Sequence, residues 1–149
     1  MPKLLGIDVS HDVLELNSHL ATTTKTAPKR PAVSLWRTER EFQAAVFKAA
    51  AWEAVTRPEF NQLFHIANEN AHRTPGVKGG VPDLFLAIPR GPYGGLFIEL
   101  KIADGKPSQK QLGAISDLRD AGYRCHIIWD SVDEVISCIV AYLNEKTQS

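Results

Sequence analysis

Two carboxylates and a lysine, Asp83, Glu99 and Lys101, fall inside a stretch that otherwise reads as two apolar strands. Charges at such positions are costly to desolvate unless something compensates them. In "LFIELKI", residues 96 to 102, side chains alternate between faces. Leu96, Ile98, Leu100 and Ile102 therefore point one way, and Phe97, Glu99 and Lys101 the other. Folding the hairpin about Pro92 sets Asp83 roughly opposite Lys101 and diagonal to Glu99. Cross-strand neighbours of that kind lie about 5 to 8 Å apart. Two carboxylates that close repel, and one takes up a proton unless a cation sits between them. Hard carboxylate oxygens favour Mg²⁺ or Mn²⁺. An ammonium group on the same face helps hold a water or stabilises developing charge, a set of parts suited to attack on a phosphodiester. The blander readings are an ion pair between Glu99 and Lys101, and Asp83 as a turn residue after Pro82. Spacing alone leaves both open. The placement of Glu-x-Lys within an apolar strand, where charge is costly, lifts the reading as a site.

Positioning these groups requires a scaffold, and the chain supplies one in a readable order. Residues 3 to 9 pattern as a short strand, and 21 to 34, rich in Thr, Pro and Lys, as a linker or flexible arm. Residues 1–34 thus form an N-terminal extension and 35–149 the compact domain. From Glu39 to about Val55 a helix is expected, with Phe42, Val46, Ala49 and Ala50 on one face. Thr38 and Glu41 have capping-box spacing at its start, as do Ser108 with Gln111 and Ser131 with Glu134 further on. A short helix is expected from Pro58, and "LFHIA" reads as a strand or its approach. The strands 83 to 88 and 96 to 102 form a hairpin, and 96 to 129 reads as a strand–helix–strand crossover. The order helix, strand, strand, strand, helix, strand, helix predicts an α/β fold, a mixed β-sheet flanked by helices.

Bulk properties narrow the function classes. At 149 residues with 44% apolar content the chain can bury a core. No run of 18 apolar residues exists, which argues against a membrane span. Asp8, Asp12 and Glu15 spoil the N-terminus as a secretory signal. Cys125 and Cys138 lack metal-ligand spacing and read as reduced thiols of a cytoplasmic protein. Zero net charge argues against a general polyanion coat but not against a local basic groove. Arg73, Lys78 and Arg90 fall in predicted loops, where solvated surface and phosphate contact are both open readings. His65, His72 and His126 are candidate bases or ligands, Trp36, Trp52 and Trp129 read as core or interface, and Tyr93 as an exposed hairpin tip.

The motifs "GVPD", "GGLFIELK", "KPSQKQ" and "LRDAGYRCHIIWDSVDEVISCIVAYL", with "EREFQAAVF" and "LFHIANENAHR" upstream, resemble the VRR-NUC domain, the virus-type replication-repair branch of the PD-(D/E)xK nucleases. The resemblance spans roughly residues 38 to 144. It implies a restriction-endonuclease-like core and a Mg²⁺- or Mn²⁺-dependent DNA endonuclease. It implies a stand-alone bacteriophage type acting as a homodimer on branched DNA, as Holliday-junction resolvases do, with no nucleotide cofactor. Asp83 and Glu99 would be metal ligands, the Leu100 carbonyl a third, and Lys101 the catalytic lysine. Gln111 matches the family's helix glutamine, and Glu41 the acidic residue of the first helix, with Glu39 a second candidate. Capping alone would also explain Gln111 and Glu41. DNA contacts are expected from Arg73, Lys78, Arg90 and Ser108. The rivals are a sequence-specific or exonucleolytic cutter on the same core, and a non-cleaving DNA-binding or assembly protein.

Overall fold

The structure is a computed structural model that describes residues 34–68 and 72–147. The strand expected over residues 3 to 9, and the arm up to residue 33, lie outside the described residues. Helix α1 (Glu39–Glu53) leads through a 3₁₀ turn (Pro58–Gln62) into β1 (Leu63–His65), followed by β2 (Leu84–Leu86) and β3 (Leu96–Lys101). Then come α2 (Gln109–Asp120), β4 (Arg124–Trp129) and α3 (Val132–Leu143).

Each helix begins where a hydroxyl occupies an N–H group that the helix itself leaves unpaired. Thr38, Ser108 and Ser131 accept from the backbone N–H groups of Glu41, Gln111 and Glu134. Glu39 and Glu41 in the first turn of α1 complement the positive end of its dipole. The helical period then buries Phe42, Val46 and Ala50 on one face of α1, and Val135, Cys138, Ile139 and Tyr142 on one face of α3.

The four strands pair in the order β1-β2-β3-β4. The first two junctions are antiparallel and β3 runs parallel to β4, as a crossover through α2 requires. Leu96, Ile98 and Leu100 enter a core with Phe42, Val46, Val135 and Ile139, beneath α1 and α3. Phe97 enters a second core with Ile115 of α2, Cys125 and Ile127. Strand β3 is thus covered on both faces, and all six of its residues are buried. Burial pushes the thiols of Cys125 and Cys138 up to about 12. No helix among the described residues is long and apolar enough to cross a membrane.

The hairpin register differs from expectation. Leu84 pairs with Ile98, Phe85 with Phe97 and Leu86 with Leu96, so the strands are centred on residue 91 rather than Pro92. The cause is a tight turn in which Arg90 and Tyr93 exchange backbone hydrogen bonds across Gly91 and Pro92. Extended by one step, this register sets Asp83 opposite Glu99 instead of Lys101. Tyr93 is half-buried, with the Arg124 guanidinium 4.3 Å over its ring, rather than free at the tip. His126 is buried in β4, Trp36 stacks on Phe42 and Trp129 packs on the second core, whereas Trp52 is exposed.

Close approach fixes one glycine. A Cβ at Gly95 would lie 2.5 Å from the Phe85 ring and 3.0 Å from the Leu86 carbonyl oxygen. Gly95→Ala is therefore expected to destabilise the fold by about 1–3 kcal/mol, as overpacked cores do. Urea unfolding checks this, and an unchanged midpoint would mean the β2–β3 contact is looser than described.

Candidate active site

Strand β3 carries two charged residues into the interior because both its faces are covered. Glu99 is fully buried and Lys101 is 6% exposed. The Lys101 Nζ lies 2.7 Å from Glu99 Oε1 and 3.3 Å from Glu39 Oε1 in the first turn of α1. Gln111 Nε2 of α2 also donates to Glu99 Oε1, at 2.5 Å. The other oxygen, Glu99 Oε2, is buried and has no hydrogen-bond partner. A buried carboxylate oxygen in that state carries a desolvation penalty of a kind that a bound cation removes.

Asp83 immediately precedes β2 and is held from two sides. Its Oδ2 accepts from the Leu100 N–H at 2.8 Å. Its carbonyl accepts from the Ile66 N–H at 2.7 Å and from His65 Nδ1 at 3.1 Å. The Leu100 N–H is thus directed toward the β2 side of β3, beyond the last β2 partner. A strand residue's N–H and C=O leave on the same edge, so the Leu100 carbonyl shares this edge with Asp83.

The charges here are coupled. Burial, then the nearby Asp83 carboxylate, push Glu99 up to about 7 against the pull of Lys101. Burial likewise raises Asp83, although the Leu100 N–H and Lys101 pull it down. Burial works to lower Lys101, but Glu99 and Glu39 together outweigh it and raise the ammonium above its ordinary value. Ionised Asp83, Glu99 and Glu39 against one ammonium leave a surplus of negative charge that a divalent cation would match. Among the described residues there is no group of three or more His, Cys, Asp or Glu able to hold a metal ion. The fitting set is instead two carboxylates and a carbonyl, Asp83, Glu99 and Leu100. Mg²⁺ tolerates so sparse a set because it keeps several waters and takes further oxygens from its substrate.

A cavity of about 360 Å³ opens beside Asp83. Glu39, Arg40 and Gln43 of α1 line one side of it, and His65, Ile66 and Asn68 another, with Leu100 completing the wall. Sequence reasoning did not assign Gln43, Arg40 or Asn68 to the site. The helical period held part of the signal, since Glu39 and Gln43 stand four residues apart and share a face. Asn68 gave no such signal; its Nδ2 donates to the Val81 carbonyl at 2.7 Å, tying the segment after β1 to the one before β2.

The expected site residues separate into those that assemble and those that do not. Gln111 serves twice. Its Oε1 accepts from the Ser108 N–H at 2.8 Å, closing the capping box, and its Nε2 reaches Glu99. Glu41 is turned away. Its carboxylate accepts from the Arg37 N–H at 2.9 Å and pairs with the Arg37 guanidinium at 3.5 Å. Glu39, the second candidate, is the helix carboxylate that meets Lys101 and lines the cavity. Arg90 sits at the turn end of the hairpin, away from Asp83 and Glu99. Its guanidinium is occupied by the Leu143 and Pro89 carbonyls and by Glu59, so it braces the turn. The Ser108 hydroxyl is engaged in capping. Arg73 and Lys78 are exposed in the segment that leads into β2. Glu39→Gln is expected to slow the chemistry about tenfold or more through loss of a charge partner for Lys101, while Glu41→Gln leaves the rate near wild type. Parallel rate measurements decide it, and the reverse ranking would assign the role to Glu41.

With this geometry in place, the comparisons with known proteins are specific. The VRR-NUC domain family matches residues 23–128, a span that contains Glu39, Asp83, Glu99, Lys101 and Gln111. The solved structure of a VRR_NUC domain protein is similar over 75% of this chain and 93% of that chain, with 32% identity and a TM-score of 0.63. No curated protein matches the chain.

Proposed function

This chain belongs to the VRR-NUC domain family, nucleases of the PD-(D/E)xK type, and on that premise we propose that it is a divalent-metal-dependent DNA endonuclease selective for branched DNA. Nuclease domains of this type act on DNA and generally use divalent metals. The observation that carries the metal reading is the unpartnered, buried Glu99 Oε2 beside a second carboxylate. Asp83, Glu99 and the Leu100 carbonyl would hold Mg²⁺ or Mn²⁺. An ion bound there supplies Lewis-acid chemistry toward a phosphodiester and makes water more acidic.

The chain's own residues do the rest. Gln111 occupies Glu99 Oε1 and so leaves Oε2 for the cation. Lys101 remains an ammonium at neutral pH because Glu99 and Glu39 hold it charged. It orients the attacking water or donates to a phosphate oxygen as negative charge builds there. Arg40 on the cavity wall meets a neighbouring phosphate. Hydrolysis by this arrangement leaves a 5′-phosphate and a 3′-hydroxyl. Exposed Trp52, Val55 and Phe64 supply apolar surface for a second copy. A homodimer would present two sites to a four-way junction, in the manner of Holliday-junction resolvases, during phage DNA replication, recombination or repair.

The test is cleavage of a labelled four-way junction beside a linear duplex of matched sequence, with Mg²⁺, with Mn²⁺ and with EDTA. Metal-dependent cutting of the junction alone is expected. Equal cutting of both DNAs would remove the selectivity, and tight binding without cutting in either metal would overturn the nuclease reading.

A further inference from the structure

Asp130 is 8% exposed and takes no part in the chemistry above. It is one of two non-glycine residues among those described with positive φ, at +56°; the other is Ala103, at +48°. A left-handed backbone is disfavoured wherever a Cβ is present, least so for Asp and Asn. It persists only where surrounding structure over-determines it, and such residues gather at functional sites. These two are bonded to each other. The Ala103 N–H donates to both carboxylate oxygens of Asp130, at 3.0 and 2.9 Å. The Asp130 N–H in turn donates to the Lys101 carbonyl at 3.0 Å. The backbone on which Lys101 stands is therefore pinned at the point where it leaves β3.

The same residue reaches the other side of the site. Ser34 Oγ donates to Asp130 Oδ1, and Trp36 Nε1 donates to the Asp130 carbonyl at 2.9 Å. The Trp36 N–H bonds back to Ser34 Oγ at 3.0 Å. This fixes the lead-in to α1, whose first residue, Glu39, meets the Lys101 ammonium. The contacts close a ring: Lys101 backbone, Asp130, Ser34 and Trp36, first turn of α1, Glu39, Lys101 Nζ.

We propose that Asp130 is a positioning residue for DNA cleavage, holding the end of β3 and the start of α1 in the one relation that seats the Lys101 ammonium between Glu99 and Glu39. The proposal rests on the nuclease reading of that site. Asp130→Gly keeps the left-handed backbone without strain and removes the carboxylate. Asp130→Asn keeps an acceptor for the Ala103 N–H. Tyr142→Phe is the stability control, since it deletes only the Tyr142 hydroxyl bond to the Ile88 carbonyl, remote from Lys101.

The readouts are single-turnover cleavage rate, DNA affinity in EDTA, thermal midpoint, and acylation of Lys101 by an amine reagent followed by mass spectrometry. The Gly variant should cleave about 100-fold more slowly, the scale of a displaced catalytic group, with DNA affinity unchanged and Lys101 acylated faster. The Asn variant should recover most of the rate, and Tyr142→Phe should keep it. Wild-type cleavage by the Gly variant would overturn the proposal, as would an equal rate loss in Tyr142→Phe. If the Gly variant does not fold, Ser34→Ala combined with Trp36→Phe, which removes both side-chain links from Asp130 to the lead-in of α1 and leaves the Ala103 contact, decides: a reduced rate supports the proposal and a wild-type rate overturns it. Should wild type itself fail to cut DNA, the nuclease reading falls, and the acylation contrast still decides whether Asp130 seats Lys101.

Discussion

Lys101→Met is expected to cleave DNA at least about 10²–10³-fold more slowly than wild type, the scale of losing one group aimed at developing charge. Methionine replaces the stem, which runs close to the loop after β3, where a Cβ added at Gly105 would stand 3.7 Å from Lys101 Cδ. What disappears is the ammonium, the cation 2.7 Å from Glu99 Oε1. Two effects then combine. The phosphate loses a charge partner, and Glu99, already pushed up to about 7 by burial and by Asp83, loses an interaction that opposes that shift. A carboxyl that keeps its proton is a poor metal ligand. DNA binding in EDTA should be retained, which separates lost chemistry from lost affinity. A variant that cleaves within a few-fold of wild type would reduce Lys101 to an ion-pair partner in the core.

The metal-free protein should lose stability as pH rises from about 4.5 to 7. Glu99 is the reason. Its folded value is raised from 4.5 to about 7, so below 4.5 both folded and unfolded states carry the proton and the group contributes no difference. Between those values the unfolded chain releases a proton that the folded chain retains, which favours unfolding. Above 7 the cost is complete, on the order of 3 kcal/mol for a fully buried group. Asp83, raised by burial, acts in the same direction from lower pH. Lys101, raised by its carboxylate partners, adds stability that is lost only above its own alkaline range, outside this window. Urea unfolding in EDTA across pH 4 to 8 measures the slope. Glu99→Gln should flatten it, and Mg²⁺ at pH 7 to 8 should restore the wild type by binding the ionised pair. A stability that climbs with pH in EDTA would contradict the described burial of Glu99.

Much of this was legible because local chemistry and tertiary structure agree. The hydroxyls at Thr38, Ser108 and Ser131 mark where three helices start, and all three accept the expected N–H. The alternation in "LFIELK" sends Leu96, Ile98 and Leu100 to one core and Phe97 to another. Gln111 was readable both as a cap and as a candidate site residue, and its amide has two ends, one closing the cap and the other bonded to Glu99. The hairpin register was not legible, because it depends on how Arg90 and Tyr93 close their turn, and a two-residue slip keeps every side chain on its face. Nor was the choice between Glu39 and Glu41. Both stand in the first turn of α1, and only the approach of Arg37 to one and Lys101 to the other separates them. Asp130 stands within the segment "CHIIWDSVDE", but no spacing announces a carboxylate that caps the backbone of a distant strand end.

In the proposed mechanism Asp83 and Glu99 form one divalent-metal site on which DNA cleavage depends. The most direct measurement is the single-turnover rate on a labelled four-way junction as Mg²⁺ is titrated, for wild type and Asp83→Asn, with EDTA as the zero point. The expected result is no cleavage in EDTA, saturable activation of wild type by Mg²⁺, and an Asp83→Asn variant that stays folded and binds DNA but is not activated over the same range. Cleavage that persists in EDTA, or an Asp83→Asn variant that follows the wild-type titration, would contradict it.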